Sequence, residues 1–139
     1  MKRVIFALLL LVLGAQANDP HQIVVIANHN VPEMDMKTIA KVFTGKVVKI
    51  DSVAVIPVLL NRKEVTDKFL QKFVGMEVEQ FIAYWTVRQY IGKGTPPKKI
   101  SSVPALIIFV KETPGAVSYI NAGDLKGGDL NIISIPEHE

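Results

Sequence analysis

Ile23-Val24-Val25-Ile26-Ala27-Asn28-His29-Asn30-Val31-Pro32-Glu33-Met34-Asp35-Met36-Lys37-Thr38-Ile39-Ala40-Lys41-Val42-Phe43-Thr44-Gly45 is the stretch on which the fold class turns. Its first five residues are continuously apolar and mostly β-branched, which suits a strand covered on both faces. The run stops at Asn28-His29-Asn30, and Pro32 marks a turn. From Met34 to Phe43 the apolar residues Met36, Ile39, Ala40 and Phe43 recur at helical spacing. Asp35 stands near the positive end of the macrodipole, and Gly45 is placed to end the helix. A covered strand leading into an amphipathic helix predicts a layered α/β domain.

The alternation continues outward. Val53 to Leu60 is β-rich but holds Pro57, which cannot donate to a ladder, so this strand is expected at an edge or to stop near the proline. Val65 to Val74 and Val78 to Ile91 read as helices, the second with Phe81, Ile82, Trp85, Val87 or Arg88, and Ile91 at roughly helical spacing and Gly92 as its stop. Ser101-Ser102 can cap a helix from near Pro104 to Lys111. By periodicity alone, Ala105 to Val110 reads equally well as a buried strand. Val117 to Ile120 and Ile132 to Ile135 are the last two expected strands.

Lys2 and Arg3 precede an apolar run from Val4 to Leu13, and Gly14-Ala15-Gln16-Ala17 supplies small residues for a peptidase. This reads as a signal peptide over residues 1–17, cleaved before Asn18, since a membrane span needs about 20 apolar residues. Residues 18–139 are then expected to form one domain without membrane insertion. The chain has 16 Lys and Arg against 13 Asp and Glu; with Lys2 and Arg3 removed, 14 remain against 13, a net of +1. A near-neutral domain lacks the basic stripe that nucleic acid requires, so no nucleic-acid partner is expected. The absence of cysteine rules out disulfides and a lipid-bearing cysteine, and with the leader it predicts a soluble periplasmic protein.

Catalytic constellations are missing. The imidazoles are His21, His29 and His138; no Gly-x-Ser-x-Gly elbow and no metal-ligand spacing occurs, so neither an enzyme, a metal nor a cofactor is expected. His29 reads as a solvated loop residue. Gly92-Lys93-Gly94-Thr95 lacks the strand before and the helix after that a P-loop needs, and reads as a helix stop. Tyr84 and Trp85, spaced with Phe81, read as core.

Four segments then stand in order: Val42-Phe43-Thr44-Gly45-Lys46, Tyr84-Trp85, Gly92-Lys93-Gly94-Thr95-Pro96-Pro97-Lys98, and Thr113-Pro114-Gly115-Ala116-Val117-Ser118-Tyr119-Ile120. Over about Ile23 to Ile120 the chain resembles the short, one-lobe relatives of phosphate ABC transporter substrate-binding proteins. The resemblance implies one lobe of a periplasmic binding protein type 2-like fold, with a mixed or mainly parallel sheet flanked by helices. It also favours helix over strand for Ala105 to Val110. A role in transport is implied, with phosphate or another small oxyanion as ligand and an ABC permease, a sensor protein or a second copy as partner.

In that family, helix-start amides, hydroxyls and an arginine replace the water around phosphate. The matching stretch is Asn61-Arg62-Lys63-Glu64-Val65-Thr66-Asp67. Arg62 carries over as guanidinium clamp and Thr66 as helix-start hydroxyl, with Asn61 beside them. Asn28 and Asn30, after the first strand, are further candidates on the reasoning that ligands sit beyond the carboxyl ends of strands. The family's serine and glycine have no counterpart here, and Glu64 and Asp67 add negative charge. That departure supports an alternative, a partner-binding module that kept the fold and lost the ligand site.

Overall fold

The computed structural model describes residues 19–125 and 130–133. The expected leader, His138 and the end of the last expected strand lie outside them. The elements in order are β1 (Ile23–Ala27), α1 (Met36–Phe43), β2 (Lys49–Ile50), β3 (Val53–Ala54), β4 (Ile56–Leu60), α2 (Lys63–Phe69), α3 (Val78–Tyr90), β5 (Lys98–Ile100), α4 (Val103–Glu112), β6 (Ala116–Asn121) and β7 (Asn131–Ile133). A π-helical turn, Leu70–Val74, extends α2, and a 3-10 turn follows β6 at Ala122–Asp124. No helix among the described residues is long and apolar enough to cross a membrane.

Local chemistry sets these bounds. Asp35 is the N-cap of α1, its carboxylate accepting from the Thr38 amide at 2.8 Å, which holds its pKa below the usual carboxylate value. Ser102 caps α4 through the Ala105 amide, with Pro104 in the first turn, so Ala105 to Val110 is helix. Glu77 and Gln80 form a reciprocal capping box at the start of α3.

Five strands form the main sheet in the order β5-β4-β6-β1-β7, and β2 and β3 pair separately as a hairpin. β4 runs parallel to β5 and β6, while β1 runs antiparallel to β6 and β7. The sheet is therefore mixed. The stretch expected as one strand, Val53 to Leu60, is divided at Val55 into β3 and β4, and β4 lies in the interior of the sheet, whereas the expectation from Pro57 was an edge position or an end near the proline. Pairing with β6 includes Pro57↔Val117, whereas pairing with β5 begins only at Val58↔Lys98. The Ile56 amide is used toward Gly115 at 2.8 Å. Successive strand amides point to opposite neighbours, so the N–H that proline lacks falls where β5 has not yet begun.

β6 is the centre of the core, buried from Ala116 through Ile120. Tyr119 stacks on Phe69 with centroids 4.0 Å apart, and Phe69 meets Phe43 edge-on at 4.7 Å. The quoted segments meet in space. The Tyr84 hydroxyl donates to the Thr44 carbonyl at 2.6 Å and the Trp85 indole N–H to the Phe43 carbonyl at 3.2 Å, closing the carboxyl end of α1. Gly45, at φ +74°, leaves room for the Trp85 ring. Gly115, at φ +84°, lets the turn into β6 lie against the Ala54 backbone. Phe81 and Trp85 are core residues, as expected.

Candidate functional site

The carboxyl ends of β4, β5 and β6 lie together, and the amino end of β1 joins them, with Ile23 paired to Asn121. At this margin the Asn61 amide donates to the Ile100 carbonyl and the Arg62 amide to the Leu60 carbonyl, both at 2.8 Å. These bonds turn the chain from β4 into α2. Arg62 is the N-cap residue of α2, and no side chain caps that helix. Asn61, Arg62, Lys63, Thr66 and Lys99 line a cleft of about 200 Å³, with Leu59, Leu60 and Val78 as its apolar wall.

The two acids of the stretch do not line this cleft. Asp67 is held by Lys63 at 2.8 Å, and that hydrogen bond raises the Lys63 pKa. No ion pair to Arg62 or Lys99 occurs among the described residues, and both line the cleft, with Glu77 and Glu79 near enough to favour the charged form of the neighbouring Lys63. Among the same residues no cluster of three or more His, Asp or Glu is arranged to hold a metal.

Thr66 is placed at the cleft, but its hydroxyl is committed inward. It donates to the Leu60 carbonyl at 2.6 Å and lies 2.7 Å from the Tyr119 phenol, which also accepts from the Leu60 amide at 3.2 Å. Each bond has its own proton if Leu60 N–H donates to Tyr119, Tyr119 to Thr66, and Thr66 to the Leu60 carbonyl. Burial pushes the Tyr119 pKa up to about 12, opposed by the hydrogen bonds to Thr66 and Leu60.

Asn28 and Asn30 stand at the other end of the sheet. β1 is antiparallel to β6, so its carboxyl end lies with the amino ends of β4 and β6: the Asn28 amide donates to Ala116, beside the bond from Ile56 to Gly115. Four residue steps along β4, about 13 Å, separate that end from Leu60. The Asn28 side chain is 1% exposed, and its amide donates to the carbonyls of Val110 and Lys111, closing the end of α4. The Asn30 carbonyl oxygen accepts from the Gly115 amide at 2.9 Å. The strand direction that separates these asparagines from Arg62 is not written in the local sequence of β1.

A second concavity adjoins the cleft and was not read from the sequence. This trough of about 450 Å³ shares Leu59, Thr66, Val78 and Lys99 with it. Phe81, Ile82 and Trp85 of α3 form one wall, and Pro96-Pro97 forms the other. Ile82, Val87 and Ile91, expected with Phe81 and Trp85 in one apolar pattern, are instead 54%, 60% and 55% exposed, because Phe81 and Trp85 alone are buried on α3, and Ile82 lines the trough.

Solved structures carry the same architecture. The chain superposes on an ABC-type phosphate transport receptor from Vibrio cholerae with a TM-score of 0.60 at 11% identity, covering 84% of this chain and 47% of that one. A phosphate ABC transporter substrate-binding protein with bound phosphate from Clostridium perfringens gives 0.63 at 15% identity, covering 84% and 46%. The shared fold takes in just under half of each of these structures. PstS from Borrelia burgdorferi agrees, with a TM-score of 0.53 at 13% identity, covering 84% and 48%. This chain spans about half the length of these structures, and at such identities the likeness concerns fold alone. No family model and no curated protein matches the sequence.

Proposed function

We propose that this chain is an exported solute-recognition lobe, residues 18–139 after removal of a signal peptide, acting in the periplasm on a small oxyanion such as phosphate. The observation that carries this reading is the cleft at the carboxyl ends of β4 and β5, where Arg62 and Lys99 have no acidic partner among the described residues while Asp67 is taken by Lys63. Asn61 supplies a neutral donor beside them. In a cleft open to water each charge contact is worth about 0.3 to 1 kcal/mol, so three of them give at most about 3 kcal/mol, a dissociation constant of several millimolar.

The test is calorimetry of residues 18–139 with phosphate, sulfate and small carboxylates. Millimolar binding that weakens at least fivefold in Arg62→Gln is expected. Absence of heat at tens of millimolar ligand, or indifference to Arg62, overturns the reading.

A second reading, a partner-binding module that kept the lobe and lost the ligand, is favoured by the Thr66 hydroxyl being bonded to Leu60 and Tyr119. Its partners would be an ABC permease, a sensor protein or a second copy. Sedimentation over a hundredfold concentration range and capture from periplasm distinguish it, because anion recognition requires neither self-association nor a captured protein.

A further inference from the structure

The cleft and the trough share four lining residues, so they form one continuous depression with a cationic end and an apolar body. We propose that the ligand of this lobe is an anionic amphiphile, with a phosphate or carboxylate headgroup at Arg62 and Lys99 and an alkyl or aryl body between α3 and Pro96-Pro97. This inference rests on the anion-recognition reading and specifies its ligand class.

The volume of about 450 Å³ falls within the range of small-molecule sites, which are largely apolar with a few polar groups that fix orientation. Beside Phe81, Ile82, Trp85 and the two prolines ordered water has few partners, since a bound water needs two to four polar groups and the hydroxyls of Thr66 and Thr86 in the lining already bond backbone carbonyls, leaving Gln89 and Lys99 as its polar groups. An inorganic oxyanion would leave this surface wet. Neither concavity is lined by Asp or Glu, so the charge complementarity selects an anionic head, and its position at one end leaves the rest of the ligand to lie along the trough. Ile82 lines the trough and is more than half exposed, so apolar surface there is open to a ligand.

Each methylene moved from water into a fully enclosed apolar site tightens binding roughly fourfold, and roughly twofold in a groove open along one side. Methyl phosphate and hexyl phosphate differ by five methylenes. Titration of residues 18–139, below the micellar range, is therefore expected to show hexyl phosphate binding about 30-fold tighter. Ile82→Gln, a surface change that circular dichroism can confirm as folded, is expected to shrink the chain-length gain at least threefold, whereas Arg62→Gln weakens both esters by the same factor and leaves the gain intact. Equal binding of the two esters with dependence on Arg62 overturns the amphiphile and leaves the oxyanion reading standing. A chain-length gain undiminished in Ile82→Gln, or equal binding of neutral hexyl glucoside, also overturns it. Failure of both esters to bind, or loss of all dependence on Arg62, removes the oxyanion reading itself.

Discussion

The Thr66 hydroxyl lies 2.7 Å from the Tyr119 phenol across the end of β4, and the pair closes both backbone groups of Leu60. A residue that looks like a ligand hydroxyl in sequence is thus part of the frame. Thr66→Val and Tyr119→Phe are each expected to cost about 1 to 2 kcal/mol, and the double variant about 1 kcal/mol less than their sum, because the two share one network. Urea unfolding of the four proteins measures the coupling. Full additivity would show that the triangle does not act as a unit.

The same phenol sets an alkaline limit. The Tyr119 pKa is raised from 10.0 to about 12 in the folded state, so the unfolded chain binds fewer protons between these values. The stabilisation from its neutral form is complete below pH 10 and is lost as pH rises toward 12, about 2 to 3 kcal/mol in all. Stability profiles of the wild type and Tyr119→Phe should therefore converge over that interval. Parallel profiles would show that the phenol titrates normally.

Two glycines should rank in a fixed order. A Cβ at Gly115 would overlap the Ala54 carbonyl oxygen, which is backbone and cannot yield, while one at Gly45 would meet the tip of the Trp85 ring at 2.7 Å. Both sit at positive φ. Gly115→Ala is expected to cost more than about 3 kcal/mol and Gly45→Ala about 1 to 3 kcal/mol. Thermal melts decide the order, and Gly45→Ala proving the worse would contradict the packing described here.

Asn28→Ala removes two hydrogen bonds to the last carbonyls of α4. A cost of about 2 to 3 kcal/mol is expected, with faster hydrogen exchange at the end of that helix and unchanged anion affinity. Weaker anion binding in a folded variant would place Asn28 in recognition after all.

Much of the architecture was legible because periodicity and caps are local. Ile23–Ala27 stands where the residues put it, the first helix begins at Met36, two residues after the expected Met34, with Asp35 as its cap, and the helix behind Ser102 was legible as a cap while its periodicity fitted strand equally well and the family resemblance favoured helix. The strand Lys98-Lys99-Ile100 was hidden, because three residues with two exposed lysines carry no alternating pattern. The Asp51-Ser52 turn of the short hairpin was hidden too, since both residues take positive φ without glycine. Sheet order and direction were beyond reach: nothing in Ile23–Ala27 says it runs against β6, and that direction places Asn28 far from Arg62. The trough was illegible for the same reason, being made by Pro96-Pro97 and α3 meeting across a distance that sequence spacing does not encode.

β1 and β7 are neighbours, and Val25 pairs with Ile133 in opposite directions. The polypeptide consequently enters and leaves the described sheet along adjacent tracks on a single margin. Such a unit behaves as a cassette: it can be spliced into a host sequence, or cut from one, with only two closely spaced junctions to heal.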